Sequence, residues 1–174
     1  MGQAFMPSRK LNVLAQPEPA YEPSAAPRHW PQLVFAREDS AGSDKQAELP
    51  ARILIVEDDF LVANEIETAL SDAGFDVGRV AASADEAVEL AESQKPALVV
   101  MDVRLGGERD GIHAAVEIFR MLGIRCIFAT AYYDQHLLER AKPAMPLGWL
   151  QKPYSMVSLV NAVRRALEEL DRNR

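Results

Sequence analysis

The chain has 174 residues, 48% of them hydrophobic and 26% charged, which is enough for one core-bearing domain with some additional chain. Its net charge of −7 argues against a surface for nucleic acid or acidic membrane, where a basic patch is expected. The single cysteine, Cys126, excludes an internal disulfide and suits a reducing compartment. No stretch approaches the roughly 18 apolar residues of a membrane span, and no leader pattern opens the chain. We therefore expect a cytoplasmic protein whose partners include neither a membrane nor nucleic acid.

Residues 1–50 differ in composition from the rest of the chain. They hold seven of the eleven prolines, and no apolar period in them lasts beyond one helical turn. Such a segment cannot bury enough apolar surface to offset the entropy of ordering it. We predict a Pro-rich N-terminal extension, 1–50, that is disordered or loosely docked, followed by a folded domain, 51–174. Two apolar patches, 9–15 and 30–36, leave open an arm that docks on the domain or on a partner.

From residue 51 onward, short apolar runs alternate with segments of helical period. The runs predict strands at 53–56, 77–81, 97–101, 126–129 and 147–150. The periodic segments predict helices at 60–73, 84–93, 112–122, 134–141 and 155–170. This alternation favours an α/β fold in which a parallel sheet is covered by helices on both faces.

Details of the first two helices support these boundaries. Gly74 suits the residue that follows the end of the first helix, and Ser83 suits the N-cap of the second. The core face of the first helix is predicted to comprise Leu61, Ile66, Ala69 and Leu70.

Polar residues follow four of the predicted strands. Glu57 and Asp58 follow the first, Asp102 the third, Thr130 the fourth and Lys152 the fifth. The carboxyl ends of the strands in an open parallel sheet meet at one edge, where such folds bind their ligands. Carboxylates gathered there repel one another, and a hard cation with oxygen ligands such as Mg2+ resolves the repulsion.

These side chains suit transfer of a phosphoryl group to a carboxylate. A carboxylate nucleophile beside a divalent cation can attack phosphorus, while Lys152 and Thr130 offer a charge and a hydroxyl to phosphoryl oxygens. The chain contains no P-loop for a nucleotide. The donor is therefore expected to be another protein or a small acyl phosphate.

The motifs ILIVEDD, LVVMDVRL, IFATA and WLQKP, taken together, resemble the receiver domain of bacterial two-component response regulators, over about residues 52–170. The resemblance implies a flavodoxin-like doubly wound (βα)5 sandwich with a parallel five-stranded sheet of order 2-1-3-4-5. It also implies that Asp102 accepts a phosphoryl group from a histidine kinase or a phosphotransfer protein, with Mg2+ as cofactor. The metal ligands would be Glu57, Asp58, Asp102 and the backbone carbonyl of Arg104.

The resemblance also implies a switch. Lys152 matches the family's phosphate-binding lysine, and Thr130 matches a hydroxyl that turns toward the phosphoryl group. Trp149, three residues before Lys152, stands where receivers carry an aromatic that moves with the threonine. We expect Trp149 to end the fifth strand, close to the metal site.

Asp59 and the stretch that follows Asp102 are not explained by the resemblance to receiver domains. Asp59 has no fixed role in the family and is predicted to be a solvated or helix-capping acid. The stretch after Asp102 reads VRLGGERDG, whereas most receivers read x-x-M-P-x-M-D-G. The chain lacks the proline and is one residue longer, and its glycines predict a more mobile loop that still enters the third helix through Asp110 and Gly111.

The resemblance predicts a stand-alone receiver that signals by protein–protein contacts and catalyses only its own phosphorylation and dephosphorylation. Alternatives are a phosphate shuttle or sink, or a receiver-like binding module that is not phosphorylated. A small Mg2+-dependent phosphatase of another fold with an aspartyl nucleophile is also considered, although its usual DxD pair is absent. The resemblance further allows a homodimer through the fourth helix, fifth strand and fifth helix.

Overall fold

A computed structural model describes residues 50–132 and 134–173 of the chain. The strands are β1 (Arg52–Val56), β2 (Asp76–Val77), β3 (Leu98–Asp102), β4 (Cys126–Thr130) and β5 (Gly148–Gln151). The helices are α1 (Phe60–Asp72), α2 (Ala84–Gln94), α3 (Gly111–Leu122), α4 (Gln135–Ala141) and α5 (Met156–Arg172), with a 3-10 turn at Lys142–Ala144. The predicted N-terminal extension lies outside these residues apart from Pro50, so its state stays a prediction.

The five strands form one parallel sheet of order β2-β1-β3-β4-β5. This confirms the predicted fold and strand order. The register aligns the carboxyl ends of the central strands, because Asp102 lies opposite Ala129 and Thr130 lies opposite Gln151. The residues that follow these strands therefore share one edge of the sheet.

The sheet is buried on both faces, as the continuous apolar strands predicted. Successive side chains of β1 alternate between the faces, so Leu54 joins the cluster packed under α2 and α3 while Ile53 joins the cluster under α1 and α5. Cys126, in β4, is 2% exposed, and burial raises the pKa of its thiol to about 12. This thiol is structural, in agreement with its apolar sequence context.

The second strand is shorter than the predicted span of 77–81. The ladder of β2 ends at Val77, and Ala81 returns only as an isolated bridge opposite Val56. At Gly78 the side chain of Gln94 from α2 packs against the backbone, where a Cβ would lie 2.1 Å from its Oε1 atom. The chain leaves the edge of the sheet at this glycine, which an apolar run alone does not reveal.

The ends of the first two helices agree with the sequence, but one predicted core residue does not. Gly74 has a φ of +89° just after α1, and the Ser83 hydroxyl accepts a hydrogen bond from the Glu86 amide at 3.2 Å. Leu61, predicted to face the core, is 72% exposed. Leu61 lies five positions before the buried Ile66, and this offset places the two side chains roughly 140° apart around the helix axis.

Gly111, the first residue of α3, packs directly on the backbone of Asp102. A Cβ at this position would lie 1.8 Å from the Asp102 carbonyl oxygen. We expect Gly111→Ala to lower the free energy of unfolding by about 3 kcal/mol, because the backbone has to move to accept the methyl group. Gly148→Ala is the matched control, since nothing lies within 4 Å of its would-be Cβ. Equal midpoints for the two variants in urea unfolding would contradict this packing.

Candidate functional site

Three of the predicted site residues meet at the carboxyl edge of the sheet. The ammonium of Lys152, just after β5, donates hydrogen bonds to Glu57 Oε2 at 2.7 Å and to Asp102 Oδ2 at 2.6 Å. Glu57 is 4% exposed and Asp102 is 7% exposed. Two carboxylates from β1 and β3 are thus held together, away from water, by one cation from β5.

Burial and pairing act in opposite directions on these groups. Burial raises the pKa of Glu57 above its ordinary value, although the hydrogen bond from Lys152 opposes the change. Burial alone would lower the pKa of Lys152, but hydrogen bonds and charge from Asp102 and Glu57 raise it. Lys152 therefore carries its charge at neutral pH, which the two buried carboxylates require.

Asp58 completes an acidic cluster with the two buried carboxylates. One carboxylate oxygen from each of Glu57, Asp58 and Asp102 lies within 4.8 Å of the others. With Lys152 included, three negative charges and one positive charge leave a net charge of −2. An all-oxygen donor set with this charge fits a hard divalent cation such as Mg2+.

The carboxylate of Asp102 is oriented by two donors. Its Oδ1 atom accepts a hydrogen bond from the Arg104 amide at 3.0 Å, and its Oδ2 atom accepts the bond from Lys152. The side chain cannot rotate without breaking one of these bonds. Asp102 is therefore held in a defined orientation at the end of β3.

The third acid of the EDD run has a different role from the first two. Asp59 is the N-cap of α1, where its Oδ1 atom accepts hydrogen bonds from the amides of Leu61 at 2.9 Å and Val62 at 3.2 Å. This confirms the prediction of a helix-capping acid. By starting the helix at this point, Asp59 fixes where the chain turns away from Glu57 and Asp58.

Thr130 ends β4 with a buried side chain that is turned toward its own loop. The residue is 2% exposed, and its hydroxyl donates a hydrogen bond to the Tyr132 carbonyl oxygen at 2.9 Å. Movement of this hydroxyl toward another acceptor requires that this bond be broken. The arrangement thus contains one defined resting partner for the predicted switch residue.

Trp149 lies within β5, which continues to Gln151. The expectation that it ends the strand is therefore wrong, because the parallel ladder extends through Gln151 opposite Thr130. Trp149 lies opposite Phe128, and the two rings stack with centroids 4.8 Å apart and planes at 29°. The indole is half-buried against the core beneath the site.

The loop between β3 and α3 is anchored in ways that the sequence analysis missed. Gly106 donates its amide to Asp58 Oδ2 at 3.0 Å, and Arg109 forms ion pairs with Asp85 of α2 and Glu117 of α3. The glycines suggested a mobile loop, but the arginine between acids in GERDG was a signal of these ion pairs.

The end of this loop is tied to α4. Asp110 caps α3 by accepting the His113 amide at 3.1 Å, and it pairs with Arg140 at 2.6 Å. Burial would raise the pKa of the Asp110 carboxyl, but Arg140 and the His113 amide hold it below its ordinary value. The segment that starts at Asp102 therefore contacts α2, α3 and α4.

Comparison with known proteins agrees with this fold. The family model of the response regulator receiver domain matches residues 53–164. The chain therefore belongs to the response regulator receiver domain family of two-component signalling. None of the helices within 50–132 and 134–173 has the length and apolar character that a membrane crossing requires.

Relatives from several bacteria share this region. The transcriptional regulatory protein PdtaR of Mycobacterium tuberculosis is 38% identical over 125 residues, which cover 72% of this chain and 60% of that protein. The phyllosphere-induced regulator PhyR of Methylorubrum extorquens is 32% identical over 131 residues, covering 74% of this chain and 48% of that protein. The chain thus spans about half to three-fifths of the length of these relatives.

A solved structure of similar fold covers the same part of the chain. The signal receiver domain of a modulated diguanylate cyclase from Desulfovibrio desulfuricans aligns with a TM-score of 0.67 and 30% identity. The alignment covers 72% of this chain and 99% of that domain. This likeness supports the assignment of the described residues as a complete receiver fold.

Proposed function

We propose that this chain is a phosphoacceptor that receives a phosphoryl group on Asp102 from a histidine kinase or a phosphotransfer protein and signals through protein–protein contacts. The observation that carries the proposal is the bridge of Lys152 between Asp102 and Glu57, with Asp58 beside them. A carboxylate nucleophile, a fixed cation and an adjacent acidic cluster that can hold a metal are the groups that phosphoryl transfer to an aspartate needs.

Asp102 acts as the nucleophile in this proposal. One of its carboxylate oxygens forms a bond to phosphorus while the bond from phosphorus to the donor's imidazole nitrogen breaks. The nitrogen keeps the electron pair of that bond and takes up a proton as the imidazole leaves. The Arg104 amide and Lys152 already orient the Asp102 carboxylate, so little ordering of the nucleophile is needed when the donor arrives.

Glu57, Asp58, Asp102 and the backbone carbonyl of Arg104 would hold Mg2+. When bound, Mg2+ would supply positive charge to the phosphoryl oxygens during transfer. Lys152 would neutralise a further phosphoryl oxygen, since its ammonium already lies on Asp102. A cavity of about 520 Å³ lined in part by Glu57, Asp58 and Phe60 lies beside the two acids that follow β1.

The Mg2+ requirement gives the test of this function. We expect the intact mass of the protein to rise by one phosphoryl group when it is incubated with a small acyl phosphate and Mg2+. Chelation of the cation with EDTA should prevent the increase, because the acidic cluster then repels the anionic donor. Absence of labelling with Mg2+, or labelling at the same rate after chelation, would contradict the proposal.

Thr130 and Trp149 would report the phosphorylated state. In a Trp30→Phe background, Trp149 is the remaining tryptophan. We expect Mg2+ to change its emission modestly and beryllofluoride, a mimic of the phosphoryl group, to change it further with a blue shift. The second change requires the Thr130 hydroxyl to leave the Tyr132 carbonyl, which vacates space.

Thr130→Val tests this coupling, because valine keeps the shape of threonine without the hydroxyl. The variant should keep the Mg2+ response and lose the beryllofluoride response. A full second response in the variant would show that Trp149 moves independently of Thr130. A homodimer through α4, β5 and α5 stays a prediction, as does the cytoplasmic location.

A further inference from the structure

We infer that the backbone amide of Gly106 is a positioning group for the metal ligand Asp58. We also infer that two adjacent glycines in the loop between β3 and α3, Gly106 and Gly107, present this amide to the Asp58 side chain. The inference rests on the proposed function, because it assigns Asp58 to Mg2+. The amide donates to Asp58 Oδ2 at 3.0 Å. Within residues 50–132 and 134–173, no other hydrogen bond or ion pair is formed by the Asp58 side chain.

Asp58 needs such a contact more than Glu57 and Asp102, the other two acids of the cluster, do. Glu57 and Asp102 are buried and fixed by Lys152, whereas Asp58 is exposed. An exposed aspartate samples several rotamers, and a cation that recruits it must remove that freedom. A carboxylate has two oxygens, so an amide that holds one of them leaves the other for a metal. The amide therefore orders Asp58 in advance without consuming its ligand capacity.

The loop is built to present this amide. Leu105, the residue before Gly106, is 9% exposed and joins the core. Gly107, the residue after it, has a φ of +112°, a conformation that favours glycine, and it lies in a bend of the chain. Arg109 then ties the end of the loop to Asp85 and Glu117. Gly106 thus lies between a buried anchor and a bend that requires glycine.

The residue type at position 106 decides whether the loop has a backbone N–H group that can donate a hydrogen bond to Asp58. In the pattern x-x-M-P-x-M-D-G, the fourth residue after the aspartate is proline, which has no amide hydrogen. In this chain the fourth residue after Asp102 is Gly106. The substitution of glycine for proline therefore provides a hydrogen-bond donor where the common pattern has none.

Two substitutions at one position separate the amide from the side chain. Gly106→Pro removes the N–H group, whereas Gly106→Ala keeps it. Alanine fits, because a Cβ there would lie 3.5 Å from Asp58 Oδ2, an ordinary contact distance, and the φ of Gly106 is outside the left-handed region. Mg2+ titrations followed by amide NMR shifts give the dissociation constant of each variant, and circular dichroism checks that each variant is folded.

We expect Gly106→Pro to weaken Mg2+ binding by about tenfold, the low end of the effect of removing a partner from a metal ligand, because Asp58 is exposed. Gly106→Ala should bind like the wild type. Equal affinities in all three proteins would overturn the inference, and so would equal losses in both variants, which would indicate a need for glycine flexibility. If the wild type itself binds no Mg2+, the proposed function fails together with the inference.

A second measurement does not depend on proline. In the metal-free protein, the Gly106 amide should be protected from hydrogen exchange, and Asp58→Ala should remove this protection while leaving the Gly107 and Leu105 amides unchanged. The same exchange rate at Gly106 in both proteins would overturn the inference even if Gly106→Pro failed to fold.

Discussion

In Asp102→Asn, we expect no gain of a phosphoryl group when the protein is incubated with an acyl phosphate and Mg2+. Asparagine has nearly the same shape as aspartate, and its amide oxygen can still accept the hydrogen bond from Arg104. It lacks a carboxylate oxygen to attack phosphorus, so the loss should be complete rather than partial. Intact-mass spectrometry over a time course measures the effect.

Asp59→Asn is the matched control for this loss. Asp59 lies two residues from Glu57 but acts as the N-cap of α1, a position that asparagine fills equally well. This variant should be labelled at the wild-type rate. Labelling of Asp102→Asn at that rate, or loss of labelling in both variants, would contradict the assignment of the nucleophile.

Lys152→Ala is expected to lower the stability of the fold. It leaves Glu57 and Asp102 buried side by side without their cation. We expect the free energy of unfolding to fall by about 3 kcal/mol, the low end for breaking a buried ion pair, because the Lys152 side chain is 26% exposed. Labelling at Asp102 should continue at a reduced rate, since Lys152 is not the attacking group. Urea unfolding and the mass assay measure the two effects.

The stability loss in Lys152→Ala should depend on pH in a defined direction. Burial already raises the pKa of Glu57, and removal of Lys152 takes away an opposing influence, so it raises this pKa further. A carboxyl whose pKa is raised by folding binds its proton more tightly in the folded state. The destabilisation caused by the buried, charged Glu57 is present in full above the pKa of the folded state. It disappears as the pH falls toward 4.5, the ordinary pKa of a glutamate. The deficit relative to wild type should therefore shrink on acidification.

Lys142→Ala controls for the loss of a lysine. Lys142 pairs with Glu139 at 2.6 Å on the surface, where such pairs contribute little. Its unfolding curve should match that of the wild type at each pH. A deficit in Lys152→Ala that is constant from neutral to acidic pH would show that the lost ion pair is not the cause.

The parallel sheet and most of the site could be predicted because strong local signals specify them, and the strand order was implied by the resemblance of four motifs to receiver domains. The strands β3 and β4 are apolar runs that end in a polar residue, β1 is followed directly by Glu57, and parallel pairing brings these residues to one edge. Asp102 and Lys152 are separated by 50 residues in the chain, yet their meeting follows from the topology alone. Apolar runs followed by polar residues were sufficient to gather these side chains at one edge, whereas the order of the strands came from the resemblance.

The remaining details depend on tertiary contacts that no local pattern contains. At the end of β2, Gly78 packs against Gln94 of α2, a contact between two elements that the apolar run does not contain. The exposure of Leu61 depends on which face of α1 meets the sheet. The hydrogen bond between Gly106 and Asp58 joins residues 48 positions apart through a backbone amide, and a backbone amide has no side-chain signature. These features require the folded geometry.

The central claim is that Asp102 carries the phosphoryl group, and chemical mapping tests it most directly. Borohydride reduces an acyl phosphate on aspartate to homoserine, so digestion and mass spectrometry of the labelled, reduced wild-type protein identify the modified carboxyl. We predict homoserine in place of Asp102 after incubation with Mg2+ and an acyl phosphate, and none without the acyl phosphate. Reduction at Asp58 or Asp59 with Asp102 unmodified would contradict the account.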